Sequence, residues 1–322
     1  MAQTGVASSR VFFITDVHGS TKCFKKFLNA AKFYKANVLV LGGDLTGKIL
    51  IPIVDQGNGT YQCSFEGNQV VLKNQADMDA LVAKATDAGL YTQLMSKKEF
   101  DETSADPNNV KTAFNRAMVG RVADWIRLAE ERLGKTDVKC YISPGNDDIF
   151  DIDPILSSSQ YVINPEGKVV SIDDDHEMIT LGYTNHTPWN SPREVDEEEL
   201  GKKIERMAAE VRNMKSAIFN IHVPPIDTLI DKAPMVDENL KVVVRANQVQ
   251  IISAGSSACR KAIESHQPML GIHGHIHESK GIVKIGRTLC ANPGSEYGEG
   301  VLRGFLTQIT ADRIDSYVLT SG

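Results

Sequence analysis

Five short apolar runs in this chain end alike, each giving way to a metal-competent side chain set among glycine or proline. The runs are "RVFFIT" before Asp16 and His18, "NVLVLGG" before Asp44, "VKCYISPG" before Asn146, "AIFNI" before His222, and "PMLGIHG" before His275 and His277. A continuous apolar run of this length is a strand buried on both faces, as in a parallel sheet covered by helices. Strands of that kind deliver the polar groups at their ends onto one rim. Carboxylate, amide oxygen and imidazole together suit Mn, Fe or Zn, with Mg also compatible. Seven such groups, with the two oxygens of Asp44 able to bridge, suffice for two ions.

The segments between the runs support an α/β class. After Gly19, Phe24, Phe27, Leu28, Ala31 and Tyr34 recur at helical spacing, with Ser20 or Thr21 as N-cap, and "NVLVLGGD" follows as the next strand. That β-α-β order predicts parallel pairing. A long insertion, about 45–137, carries β-rich runs broken by "QGNG" and "EGN", predicting two or three short hairpin strands. Helices are predicted at about 76–89 and 110–133. The second presents Phe114, Met118, Val122, Trp125 and Ile126 on one face, which packs on the core; its other faces are where a homodimer contact could form.

Further on, "YVINPEGKVVSI" and "HEMITLGYTN" read as antiparallel strands. A Pro/Asn/Ser-rich loop spans 184–192, a helix opens at "DEEEL" over 196–214, and short strands fill the C-terminal part. The sequence predicts sheet packed on sheet with outer helices, one domain over 1–322 with the insertion at about 45–137.

Of the 322 residues, 42% are hydrophobic and 24% charged, which supplies a large core, and the net charge of −6 argues against nucleic acid as a partner. The five cysteines show no CxxC spacing and sit in apolar runs, as reduced core thiols do. "MAQTGVASSR" lacks the pattern of a signal peptide, and no apolar run approaches the ~20 residues of a membrane span. A cytoplasmic location is expected.

D-x-H, G-G-D, G-N-D, an isolated histidine and G-H-x-H, in this order from Asp16 to His277 and followed by "NPGS" at 292–295, resemble the calcineurin-like metallophosphoesterases. The resemblance implies a four-layer α/β/β/α sandwich with a dinuclear centre at the C-terminal strand rim. It implies Asp16, His18 and His277 on one ion, Asn146, His222 and His275 on the other, and Asp44 bridging. It further implies a phosphoesterase acting on a small phosphorylated substrate, with a metal-bridged hydroxide as nucleophile. Two dications against two ligand carboxylates leave net positive charge for an anionic substrate. A nuclease of the same superfamily, or a ligand-poor scaffold that binds protein, are the alternatives.

One departure from the family pattern stands beside the ligands. Asp147 occupies the position after Asn146 where most of the family has histidine. Its charge disfavours a dianionic monoester relative to a diester by Coulomb repulsion. Alternatively it orients His18 or holds a water, or, with its pKa raised by burial, acts as the acid itself. His186 in the 184–192 loop is a second candidate for substrate contact. His273 reads as a buried second histidine behind His275, and His176 and His266 as structural or exposed. "GGDLTGK" lacks the Ser/Thr and the helix of a nucleotide phosphate loop. "GSSACRKAIE" at 255–264 is ordinary helix capping, with Arg260 and, more weakly, Arg245 as candidates to approach a phosphate.

Overall fold

The computed structural model describes residues 8–322; residues 1–7, within the stretch read above as no signal peptide, lie outside the described residues. The chain opens as β1 (Ser8–Ile14), α1 (Thr21–Phe33) and β2 (Val38–Gly42). It continues through β3 (Leu50–Asp55), β4 (Tyr61–Phe65), β5 (Asn68–Leu72), α2 (Gln75–Asp87), β6 (Tyr91–Ser96), α3 (Lys97–Ser104) and α4 (Pro107–Leu133) to β7 (Lys139–Ser143). Next come α5 (Asp153–Ser158), β8 (Val162–Ile163), β9 (Val169–Ser171), β10 (Glu177–Leu181), α6 (Glu197–Ala208) and β11 (Ile218–Ile221). The short strands β12 (Lys232–Pro234), β13 (Val244–Arg245), β14 (Gln248–Val249) and β15 (Ile251–Ser253) precede α7 (Ser257–His266). The end is β16 (Leu270–Ile272), β17 (Gly281–Ile285), β18 (Thr288–Asn292), β19 (Arg303–Thr310) and β20 (Arg313–Ser321).

Two six-stranded sheets carry the architecture, ordered β20-β19-β1-β2-β7-β8 and β17-β18-β16-β11-β10-β9. Neighbouring residues of the central strands serve opposite layers, which is why these strands read as unbroken apolar runs. Phe13, Val40 and Tyr141 face Met178, Ile218 and Leu270 across the space between the sheets. Phe12, Leu39 and Leu41 turn the other way, onto Phe24 and Phe27 of α1 and Trp125 and Ile126 of α4. On the far side, Ile179, Phe219 and Ile221 pack on Leu200 and Ile204 of α6 and Ile263 of α7. The result is a four-layer α/β/β/α sandwich. Ser20 caps α1 by accepting from the Cys23 backbone N–H, and Phe24 stacks on Trp125 at 4.4 Å.

The two or three hairpin strands read around "QGNG" and "EGN" are present as three, β3, β4 and β5; a fourth strand that the sequence reading did not contain, β6, extends the order to β5-β4-β3-β6, paired in parallel with β3 across the α2 crossover, a long-range pairing that no hairpin turn announces. Two local expectations are corrected. Val162–Ile163 joins the first sheet in parallel with β7, so only Val169–Ser171 pairs antiparallel with β10. α6 ends at Ala208 rather than 214, and the Arg212 backbone and side chain bond instead to Glu177, leading the chain into β11. The core-facing side of α4 is buried at Met118, Val122, Trp125 and Ile126, as its periodicity predicts. All five cysteines are buried and unbridged. Among the described residues, no helix is long and apolar enough to cross a membrane.

Candidate metal centre

β1, β2 and β7 run parallel in one sheet, and β10, β11, β16 and β18 in the other. Asp16 and His18 follow β1, Asp44 follows β2, Asn146 follows β7, His222 follows β11, and His275 and His277 follow β16. All seven leave the carboxyl ends of parallel strands, the edge at which open α/β sheets bind ligands. Four of them, Asp16 (φ 54°), His18 (φ 38°), Asp44 (φ 52°) and His275 (φ 67°), have left-handed backbone conformations. For residues other than glycine that costs on the order of 1 kcal/mol or more each, and such strain gathers at functional sites.

The side chains converge around Asp16 and Asp44. Asp16 Oδ1 lies 3.3 Å from His277 Nε2, 3.8 Å from His222 Nε2 and 3.9 Å from His18 Nε2. Asp44 faces His222 Nε2 with Oδ1 at 3.4 Å and His18 Nε2 with Oδ2 at 3.6 Å. Asn146 Oδ1 and His275 Nδ1 are 2.8 Å apart. Asp16, His18 and His277 form one group able to hold a metal ion, Asp16, Asp44 and His222 a second, and His18, Asp44 and Asp147 a third.

The hydrogen bonds identify the tautomers. His18 Nδ1 donates to the Thr46 carbonyl at 3.2 Å and His222 Nδ1 donates to the Gly42 carbonyl at 2.9 Å. A carbonyl only accepts, so each ring in its neutral form aims an Nε2 lone pair into the cluster. His222 Nε2 is buried with no hydrogen-bond partner, and His18 Nε2 faces His277 Nε2 at 3.1 Å. An orphaned buried nitrogen beside two carboxylates is what a cation's ligands look like, and the donor set fits a divalent ion.

Electrostatics point the same way. Burial, with His277 and Lys48 nearby, pushes His18 down to about 4, and burial with His222 pushes His275 down to about 3. Burial also opposes charge on His222, but Asp44 and Asp16 outweigh it and lift that imidazole to about 10. Burial opposes ionisation of Asp16 as well, yet the His277 hydrogen bond and the charges of His222, His277 and His18 hold it below the usual carboxylate range. The Asp16 and Asp44 carboxylates thus favour positive charge at the position that His222 Nε2 faces.

The loops bearing these groups are locked by polar contacts. Buried Asp148 accepts from the backbone N–H groups of Leu45, Thr46 and Gly145 and from the Thr46 hydroxyl at 2.7–2.9 Å, binding the Asp44 loop to the Asn146 loop. Arg193, fully buried, donates through Nε to the Asp148 carbonyl and through its guanidinium to Asp153. Asn292 of "NPGS" donates to the Gly274 and Ile276 carbonyls, and Ser295 donates to the Asp16 carbonyl, which fixes the GHxH turn over β1. A Cβ on Gly145 would collide with Asp44 Oδ1, and one on Gly274 would come within 2.5 Å of Asp16 Oδ2.

Asp147 sits at the rim with both oxygens engaged. Oδ2 pairs with Lys48 Nζ at 2.5 Å, and Oδ1 accepts from Ser191 Oγ at 2.6 Å and Asn146 Nδ2 at 3.1 Å. Burial works against its charge, but Lys48 and Ser191 hold it down to about 2. Its carboxyl is thus held low rather than raised by burial, and Lys48 offsets the negative charge invoked against monoesters. Lys48 is the site residue that the sequence pattern did not single out. The 184–192 loop does reach the rim, through Ser191; His186 is 66% exposed, its ring 3.8 Å from Glu194 and outside the ligand cluster.

His273 is buried behind His275, with Nδ1 at 2.8 Å from the Ile221 carbonyl. His176 is held between Asp173 and the Thr310 carbonyl, and His266 pairs with Glu205. "GGDLTGK" leads into β3, not a helix. At α7 the helix start is filled from within the chain: Glu197 accepts from the Ser257 and Ala258 N–H groups and the Ser256 hydroxyl. Arg260 is turned to the Ile226 and Asp227 carbonyls and Glu264, and Arg245 lies in an exposed hairpin, so neither approaches the centre.

No protein-family model matches the sequence. Over 152 residues, 47% of this chain, it is 33% identical to an uncharacterized protein of Methanocaldococcus jannaschii, and the match spans 61% of that protein's length. Among solved structures, one that is 15% identical covers 98% of this chain and 99% of its own, with a TM-score of 0.58. The Thermus thermophilus protein TT1561 is 11% identical and covers 95% of this chain and 100% of its own, with a TM-score of 0.53. At these identities the likeness is one of fold. That shared fold is two stacked mixed sheets between helical layers, and in this chain Asp and His groups meet at the parallel strand ends.

Proposed function

We propose that this chain is a metal-dependent phosphoric ester hydrolase of the calcineurin-like kind. The observation that carries the reading is His222 Nε2, buried and without a partner, facing Asp16 and Asp44 where five strand ends meet. Asp16, His18 and His277 would hold one divalent ion, Mn, Fe or Zn, and Asn146, His222 and His275 the other, with Asp44 between. Two such ions lower the pKa of bound water and stabilise negative charge on a phosphoryl group.

The chain's own groups narrow the substrate. Asp147 accepts on both oxygens and has no proton to give a leaving group. The Lys48 ammonium beside it, half exposed, is placed to draw an anionic phosphate to the rim. A cavity of about 350 Å³ opens beside His277, lined by Lys280, Ser295, Glu296 and Arg303 among others, with both charge signs available for a polar leaving group. These features support a small anionic phosphate ester whose leaving group departs without protonation by Asp147; a phosphodiester or nucleotide-type molecule is the proposed class, and with Lys48 offsetting the Asp147 charge the contrast with monoesters rests on the assay. Ser191, rather than His186, is the residue of the 184–192 loop that supports this rim.

A screen of chromogenic mono- and diesters, cyclic nucleotides and nucleotide diphosphates in the presence of Mn²⁺ tests the reading. Turnover of a diester or nucleotide above that of simple monoesters, abolished by chelation, is expected. Protein that binds the metal yet turns over none of these classes overturns it.

A further inference from the structure

Tyr297 lies against the group formed by Asp16, His18 and His277 without belonging to it. Its ring centre is 4.8 Å from that of His18, tilted by 49°, and 6.0 Å from that of His277, edge-on at 89°. The residue opens a single 3-10 turn, Tyr297–Glu299, that is held on both sides. Before it, Ser295 Oγ donates to the Asp16 carbonyl at 2.6 Å; after it, the Gly300 N–H donates to the Tyr297 carbonyl at 2.9 Å. The phenol is therefore fixed in place before any substrate arrives. Burial and the charges of Lys48, Asp147, Asp16 and Asp44 act on its hydroxyl, with no hydrogen bond among these influences. A phenol carries its proton at neutral pH and donates it in a hydrogen bond, which the ionised Asp147, accepting on both oxygens, does not.

Tyr297 also follows directly on Ser295 and Glu296, which with His277 line the cavity beside the centre. It stands between the rim, where Lys48 draws the phosphoryl group, and the space open to the rest of the ester. The atom that joins those two parts of a substrate is the leaving-group oxygen. We propose that Tyr297 Oη donates a hydrogen bond to that oxygen, a contact that rests on the phosphoesterase reading above and adds a catalytic residue to it. In the hydrolysis a water oxygen attacks phosphorus, the bond from phosphorus to the leaving oxygen breaks, and its electron pair stays on that oxygen. Tyr297 stabilises the charge gathering there and keeps its own proton. The attacking water supplies the proton that the departing oxygen finally takes. Such help matters more as the leaving group becomes more basic.

Kinetics of Tyr297→Phe on Mn²⁺-loaded protein, across esters that share one phosphoryl group and run from a nitrophenol to an unactivated alcohol, test the proposal. Metal content and melting curve are measured on the same preparation. The variant is expected to keep both, to stay within about threefold of wild-type kcat on the nitrophenyl ester, and to lose about 10- to 100-fold on the alkyl ester. An equal loss on every ester, no loss on any, or metal shed from the variant would each overturn the contact and leave the phosphoesterase reading standing. Wild-type protein that cleaves none of the esters overturns that reading, and the contact with it.

Discussion

Asp44 divides its carboxylate between two histidines, Oδ1 lying 3.4 Å from His222 Nε2 and Oδ2 lying 3.6 Å from His18 Nε2. The two rings come from different sheets, so this one side chain spans the seam between them. The shape suits two ions sharing a ligand, and an amide cannot reproduce it because only one of its two terminal atoms accepts. Asp44→Asn is therefore expected to keep the fold, bind fewer metal ions and lose at least ~10²-fold in turnover. Far-UV circular dichroism, metal analysis and kinetics on one preparation check this; full metal content in the variant contradicts it.

His222 gives the metal-free protein a distinctive pH response. Its raised value, about 10 against the ordinary 6.5, means that the protonated ring stabilises the folded chain. That contribution is complete below pH 6.5 and disappears as pH climbs toward 10. In chelator, the melting temperature should fall across this interval, and fall less in His222→Gln. Metal displaces the same proton, so metal binding should release protons and tighten as pH rises. Identical pH profiles for wild type and variant would show that His222 is neutral without metal.

Asp148 holds the loops together without joining the ligand cluster. Its removal strands the donors of Leu45, Thr46 and Gly145 in the interior. Asp148→Ala is expected to lower unfolding free energy by about 3–5 kcal/mol, read from the shift of a urea transition. A loss under about 1 kcal/mol would mean that water reaches these groups.

Lys48 and Asp147 act as a pair. Lys48→Ala is expected to raise KM for an anionic phosphate substrate by about tenfold, with a smaller change in kcat, and Lys48→Arg to restore most of it. Comparable losses in kcat for both variants would place Lys48 in the chemical step rather than in binding.

What the sequence made legible follows from which contacts are local. Strands covered on both faces announce themselves as apolar runs, and Gly145 and Gly274 mark where backbone must pass close to a carboxylate. Hence Asp16, His18, Asp44, Asn146, His222, His275 and His277 could be placed on one rim from order alone. The β6 strand could not: in "YTQLMS" only Tyr91 and Met95 are buried, and its partner β3 lies beyond an intervening helix. Lys48, Asp148 and Glu197 were equally silent, because each acts through a tertiary contact that leaves no periodicity. Asp147 was visible as a departure from pattern, but its ionised state depends on Lys48, which lies 2.5 Å away in space and far away in sequence.

Metal stoichiometry of the purified chain bears most directly on the central claim. After loading with Mn²⁺ and removal of free ion, wild-type protein is expected to retain about two ions per chain and Asp44→Asn clearly fewer. Wild-type protein that retains no metal, with the fold intact, would contradict it.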